Sequence, residues 1–323
     1  MDNSRIAGLS MSGPRTTDIF ISRLRSMFGT ETRLAVPTIT SKTDFANLVA
    51  IRNGIPRGAR IILDFSACGR LSLNAILFLG GLVALVRTEG GSIRMLETTL
   101  KPKMKEILAT NGMLAHLGSR SAGATTGELP FERYDSSDES KVIDYLERRW
   151  LGSGAVQLSP NLQNAIVGNV WEVYANVFEH SESPIGVVHS GSLDRRGHKL
   201  LLSVMDLGIG IPESVQRFWP HRTIHPGSAL RWAFTDGTST KAEAVGYSRG
   251  LGLHTLKEFI RVNRGYLEVF SNYGYAKITT ERETYRRSQF NFPGTLMHIN
   301  LSADERFYCF AEELPKFRSV LGQ

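Results

Sequence analysis

Glu172 and Asn176 lie one helical turn apart in the segment Pro160-Asn-Leu-Gln-Asn-Ala-Ile-Val-Gly-Asn-Val-Trp-Glu-Val-Tyr-Ala-Asn-Val-Phe-Glu-His180. Leu162, Ile166, Val170, Val173 and Val177 recur at three or four residues, which predicts an amphipathic helix with that stripe in the core. Asn169, Glu172, Asn176 and His180 recur on another face. At about 100° per residue, positions four apart nearly stack, so Glu172 and Asn176 point into the same space. An amide oxygen is a neutral, hard ligand for Mg2+, and a carboxylate can orient and deprotonate a water. The same spacing also fits a solvated helix face.

Three further stretches bear on chemistry. Lys199-Leu-Leu-Leu-Ser-Val-Met-Asp206-Leu-Gly-Ile-Gly210-Ile-Pro212 is an apolar strand ending in Asp206, followed by Gly208 and Gly210. A carboxylate there can accept a hydrogen bond from an exocyclic amine such as that of adenine. The glycines let backbone approach a flat ring or a phosphate closely, although a tight turn containing an Asp reads the same way. Gly246-Tyr-Ser-Arg-Gly250-Leu-Gly252-Leu253-His-Thr-Leu-Lys-Glu-Phe-Ile260 runs from a Gly-rich loop straight into a helical pattern. Unpaired N–H groups and the helix dipole make such a junction an anion site. Lys241 and Arg249 can add positive charge. The spacing matches neither Gly-Lys-Ser/Thr nor a full GxGxxG. Finally, Phe292-Pro-Gly294-Thr295 precedes the strand pattern through Leu301 and offers an N–H and a hydroxyl.

In this order the four pieces resemble the GHKL superfamily, the ATPases of gyrase, the large heat-shock chaperone, histidine kinases and MutL. The resemblance covers about residues 160 to 301. It implies an α/β sandwich binding ATP and Mg2+. Glu172 then looks like the water-activating base and Asn176 like the Mg2+ ligand. Asp206 looks like the adenine reader, with Gly208 and Gly210 beside it. Gly250 and Gly252, with Leu253 next to them, look like the phosphate turn, and Thr295 like a polar contact near the adenine. Residues 212 to 249 look like a lid, and Thr238-Ser-Thr-Lys241 within it is similar to the Thr-Lys of some histidine-kinase lids. The run Glu172-Val-Tyr-Ala-Asn176-Val-Phe-Glu-His180 is close to the helix of anti-sigma-factor serine kinases. His180 lies at the pocket edge or satisfies a core hydrogen bond. No phosphoacceptor-histidine helix of an orthodox sensor kinase is evident.

The remaining elements must position this site. Residues 1–15 are polar and expected to be disordered. From there strands alternate with helices: a helix over 18–28, a strand over 33–40, a helix over 42–55 capped by Ser41, a strand over 60–65, an apolar helix over 72–87, a strand over 92–96 and a helix over 103–117. Alternation of this kind implies a parallel or mixed sheet with helices packed on it. Arg60-Ile-Ile-Leu-Asp64-Phe-Ser66 through Ser72-Leu73-Asn74-Ala75 is similar to the STAS pattern of strand, loop and apolar helix. A regulatory STAS domain carries Asp-Ser-Ser-Gly with the phosphorylated serine where this chain has Ser72-Leu73-Asn74-Ala75. Leu73 and Asn74 cannot take a phosphate ester, and Ser72 is expected to cap the helix. The expectation is therefore an α/β (α+β) chain. A STAS-like mixed-sheet regulatory or docking domain (16–118) and a linker (119–135) precede a GHKL sandwich (136–323). A polar helix over 137–149 fits either neighbour.

Bulk properties set the class. With 323 residues, 41% hydrophobic and 21% charged, the chain can build ordinary cores without staples. Two distant cysteines, Cys68 and Cys309, argue against a disulfide framework or zinc site. No signal-peptide or spanning segment is legible, so the expected location is cytoplasmic. The net charge of +7 raises nucleic acid as a partner. The basic clusters 194–199 and 285–287 lack the aromatic interleaving of a stacking surface and read as solvated loops. Three functions follow: an ATPase acting as a nucleotide-driven switch, a serine/threonine protein kinase acting on a STAS-like or regulatory partner, or a non-enzymatic ATP-gated binding module. Related ATPases often dimerise, but no dimer seam is readable.

Overall fold

A computed structural model of the chain describes residues 31–119, 129–134, 139–235 and 252–316, without the side chains of 252–254. The N-terminal portion holds β1 (Thr32–Ala35), α1 (Lys42–Arg52), β2 (Arg60–Asp64), α2 (Leu73–Thr88), β3 (Ser92–Met95), α3 (Pro102–Thr110) and α4 (Met113–His116). Strands β1, β2 and β3 pair in that order and are all parallel, so among the described residues the sheet is parallel, one of the two forms the alternation implied, rather than the mixed form of the STAS resemblance. Each strand is followed by a helix, and a right-twisted strand returns to a parallel neighbour through such a crossover. Ser41 caps α1 in a reciprocal box with Asp44, and Ser72 caps α2 by accepting from the Ala75 N–H at 3.3 Å. The single helix expected over 103–117 is broken at Asn111-Gly112, where Gly112 takes a φ of 77°.

The C-terminal portion opens with β4 (Glu132–Tyr134), α5 (Glu139–Asp144) and a π-helical continuation, Tyr145–Trp150. Next come β5 (Gln157–Leu158), α6 (Pro160–His180), β6 (Val187–Asp194), β7 (Lys199–Asp206), α7 (Ile211–Phe218) and α8 (Pro226–Ala233). The described chain ends with α9 (Gly252–Asn263), β8 (Tyr266–Thr279), β9 (Glu283–Ser302) and β10 (Phe307–Tyr308). Five strands form one antiparallel sheet in the order β4-β6-β7-β9-β8. Part of the expected linker thus belongs to this sheet: Leu129 and Phe131 are buried and β4 is its edge strand. The polar helix of uncertain allegiance joins the same half, because Val142, Tyr145, Leu146 and Trp150 pack into its core. The expectations for residues 1–28 fall outside the described residues.

Alternation along the strands gives the large sheet two buried faces. Leu200, Leu202 and Val204 of β7 join Val170, Val173, Tyr174 and Val177 of α6 and Leu256, Phe259 and Ile260 of α9 in one core. Met205 and Leu207 look the other way, into a core shared with α1 and α2. Helix α2 is buried at every residue from Ala75 to Val86. It packs on β3 of the small sheet and on β6 and β7 of the large one. A Cβ on Gly81 would stand 2.2 Å from the Met205 methyl, the end of a flexible side chain that would have to turn aside. Phe45 of α1 completes the junction, its ring centroid about 6.1–6.3 Å from those of Phe78, Phe270, Phe290 and Phe292.

Polar groups tie the same junction. Ser203 Oγ donates to Asn74 Oδ1 at 2.8 Å and contacts His298 Nδ1 at 2.8 Å. One hydroxyl proton cannot serve both, so His298 donates from Nδ1. Burial holds the His298 ring down at about 4, which keeps it neutral here. Lys42 donates to the Tyr275 hydroxyl at 2.6 Å and pairs with Glu268 at 2.5 Å, and Tyr275 donates to Glu268 at 2.7 Å. Burial opposes the Lys42 charge, but these hydrogen bonds outweigh it and raise its pKa. Among the described residues no helix is long and apolar enough to cross a membrane.

Candidate functional site

The site begins at the C-terminal end of β7. Asp206 is only 2% exposed, and burial pushes its carboxyl up to about 7, against hydrogen bonds from Gly208 and from the backbone and side chain of Thr295. The Gly208 N–H reaches Asp206 Oδ1 at 2.7 Å. The β7–β9 register sets Thr295 directly opposite Asp206. No cation pairs with Asp206 among the described residues. A nearly enclosed carboxylate served only by neutral donors is costly in the charged form and has capacity for another donor.

The 206–210 loop is held on two sides. Towards α6, the Ile209 N–H donates to the Ser181 carbonyl at 2.7 Å and the Leu207 N–H to Ser183 Oγ at 3.3 Å. Towards β8, Asn272 Nδ2 donates to the Ile209 carbonyl at 2.9 Å, and the Ile211 N–H to Ser271 Oγ at 2.8 Å. Thr295 Oγ1 meets the same Ser271 hydroxyl at 2.9 Å. The glycines expected to let backbone approach a ligand also have close protein neighbours. A Cβ on Gly208 would lie 1.9 Å from the Ser181 carbonyl oxygen. Gly210 has a φ of 78° and Gly294 a φ of 105°, a region L side chains rarely enter, and the two pack against each other. Gly294 therefore belongs to the constellation as firmly as Gly208 and Gly210.

Helix α6 carries the second group. Ser159 caps it by accepting from the Leu162 N–H at 3.2 Å, and Pro160 occupies its first turn. Tyr174 fixes it to the sheet through His189 Nδ1 at 2.6 Å. Glu172 is half-buried and Asn176 exposed on the face away from the Val170–Val173–Val177 stripe. Asn169, from the same face, is committed otherwise: its Oδ1 accepts from the Leu256 N–H at 2.8 Å in the first turns of α9. His180 is partly exposed beside Glu179, 3.6 Å away, and is not a core group.

The structure therefore brings Asp206, Gly208, Gly210 and Thr295 into one cluster and seats that cluster on the end of the helix bearing Glu172 and Asn176. Gly252 opens α9 and Leu253 follows it, so the expected phosphate turn leads into a real helix tied to α6 by Asn169. Lys241, Arg249 and Gly250 lie outside the described residues, as does the Thr238–Lys241 stretch. Of the expected lid, α7 and α8 are described, and α8 packs on β8 and β9. Ser271 and Asn272 were missed, because a Ser-Asn pair within a strand pattern gives no signal until the register puts it beside Gly294. Among the described residues no group of three or more His, Cys, Asp or Glu side chains could hold a metal ion by itself. No protein-family model matches the chain, and no curated protein is significantly similar to it.

Proposed function

We propose that the chain binds Mg-ATP in the manner of the GHKL superfamily and hydrolyses it as a nucleotide-driven regulatory switch. The observation that carries this reading is Asp206: a carboxylate at a strand end, almost wholly buried, with neutral donors and no cation among the described residues. An exocyclic amino group is the neutral donor that such an acceptor takes, and its arrival replaces the solvation that burial removed. The surrounding cradle of Thr295, Gly208, Gly210 and Gly294 is preorganised by protein contacts and costs nothing to assemble when the ligand arrives.

Asn176 is the residue that would hold Mg2+, and Glu172 the one that would take a proton from the attacking water. Bound Mg-ATP supplies the phosphoryl group. Half-burial of Glu172 suits a base that must meet solvent. The N-terminal unit acts here as a STAS-like docking or regulatory module. Its Asn74, which stands with Leu73 where the family pattern has its two serines, accepts from Ser203 of β7, three residues before Asp206. A rearrangement of the loop after β7 thus has a direct neighbour in that unit.

The test is calorimetric titration with Mg-ATP together with phosphate release by the purified full chain. Asp206→Ala is expected to weaken ATP binding by tenfold or more, as loss of about 1.4 kcal/mol or more does. Glu172→Ala is expected to bind ATP normally and release no phosphate. Equal release by that variant removes hydrolysis through Glu172, and absence of ATP binding by the wild type removes the whole reading.

A further inference from the structure

A basic cavity lies on the far side of the large sheet, where the β8–β9 hairpin meets the start of α1. Strand β8 shifts register between Ser271, Asn272 and Gly274 and bends, so that Lys277 lies over the Tyr266 ring at 4.7 Å. Beyond the bend the register pairs Tyr275 with Arg286 and Lys277 with Thr284. Residues opposite one another on an antiparallel pair share a face, and alternation repeats that face every second residue. Tyr275, Lys277, Thr284 and Arg286 therefore line one side. Ala276 and Ile278 take the other, in the α6/α9 core.

The basic side forms a cavity of about 750 Å3, with Lys42 of α1 and Arg264 closing it. Lys42, Arg264, Lys277, Arg282 and Arg286 line it, against one carboxylate, Glu281. Lys42 is answered by Glu268. Among the described residues Arg264, Lys277, Arg282 and Arg286 have no carboxylate within ion-pair distance. Like charges gathered in one concavity repel, and focus a positive potential that a polyanion relieves. Thr280 and Thr284 of the hairpin also line the cavity with hydroxyls, while Thr279 donates its own to the Arg282 carbonyl.

The aromatic rings narrow the ligand. Arg286 lies over Tyr275 at 4.5 Å, with Lys42 at 4.5 Å from the same ring, and Lys277 covers Tyr266. Those faces already carry cations and are closed to nucleobases, so the cavity lacks the stacking platforms of single-strand binders. We propose that this cavity binds a compact ligand carrying several closely spaced phosphate groups, and reads it through charge and hydroxyl contacts. Because Lys42 belongs to α1 and the hairpin to the large sheet, such a ligand clamps the two portions of the chain together.

The experiment titrates the full chain with inorganic tripolyphosphate at low ionic strength. Saturable binding is expected. It should weaken about tenfold in Lys277→Gln/Arg286→Gln, as loss of two charge-assisted contacts predicts, and fall further with added salt. Arg282→Gln, which covers no ring and is exposed, should weaken it severalfold with unchanged thermal melting, which separates lost binding from lost folding. Asp206→Ala should leave it unaltered, so failure here and failure of the ATP site are read separately. No saturable binding, equal affinity in all variants, or loss only in Asp206→Ala each overturns the proposal. Tighter binding of a single-stranded oligothymidylate, lost in the same double variant, reassigns the cavity to a nucleic-acid backbone and overturns it too.

Discussion

Asp206 sets a sign for the pH dependence of the ligand-free protein. Its folded-state pKa of about 7 stands above the ordinary value of 3.8, so between those limits the folded form keeps a proton that the unfolded form has lost. Stability from this group is full at the acidic end and is lost as pH rises towards 7, by on the order of a few kcal/mol. Asp206→Asn keeps the shape and removes the titration. Denaturant unfolding across that range should show the variant gaining on the wild type as pH rises, with the gap flat beyond about 7. Gly208 makes a second residue-scale prediction. Gly208→Ala places a methyl against a backbone oxygen that cannot rotate away, and should cost about 2–4 kcal/mol by the same measurement. The residue types at this site were legible in sequence. What they touch was not: the glycines answer to Ser181 and to each other, contacts that only the register and the end of α6 create.

At the scale of elements, α6 was readable from its repeating period, and β7 and the later part of β9 from their apolar runs. Helix α2 was read correctly as apolar and capped by Ser72, but its composition carried a further message. A helix apolar all round is covered all round, and two sheets cover this one. Gly81→Val overpacks α2 against Met205, Ile185 and Val188 and should destabilise the fold by about 1–3 kcal/mol, measured as a shift in the denaturation midpoint. The basic segment 285–287 was read as a solvated loop, not interleaved with aromatics as a stacking surface would be. It is instead the end of a strand, with Arg286 over Tyr275 and Arg287 over Tyr273. The partners come from the opposite strand, ten or more positions away in sequence, which local inspection does not reach.

At the scale of the molecule, two portions joined by a polar stretch read as two domains, and the shared core revises that. Val188, Met205, Phe270, Phe292 and Leu296 belong to the same cluster as Phe45, Phe78 and Val83. The full chain is expected to melt in one transition by calorimetry, with equal van't Hoff and calorimetric enthalpies. A fragment of residues 129–323 should expose that sheet face and bind a hydrophobic dye or aggregate. Helix α2 also has a history during synthesis. It leaves the ribosome about 120 residues before Asp206, the end of the strand that seals its second side. At roughly 5–20 residues per second this leaves a wholly apolar helix half-covered for about ten seconds on every nascent chain, an interval in which a holding chaperone has something to grip.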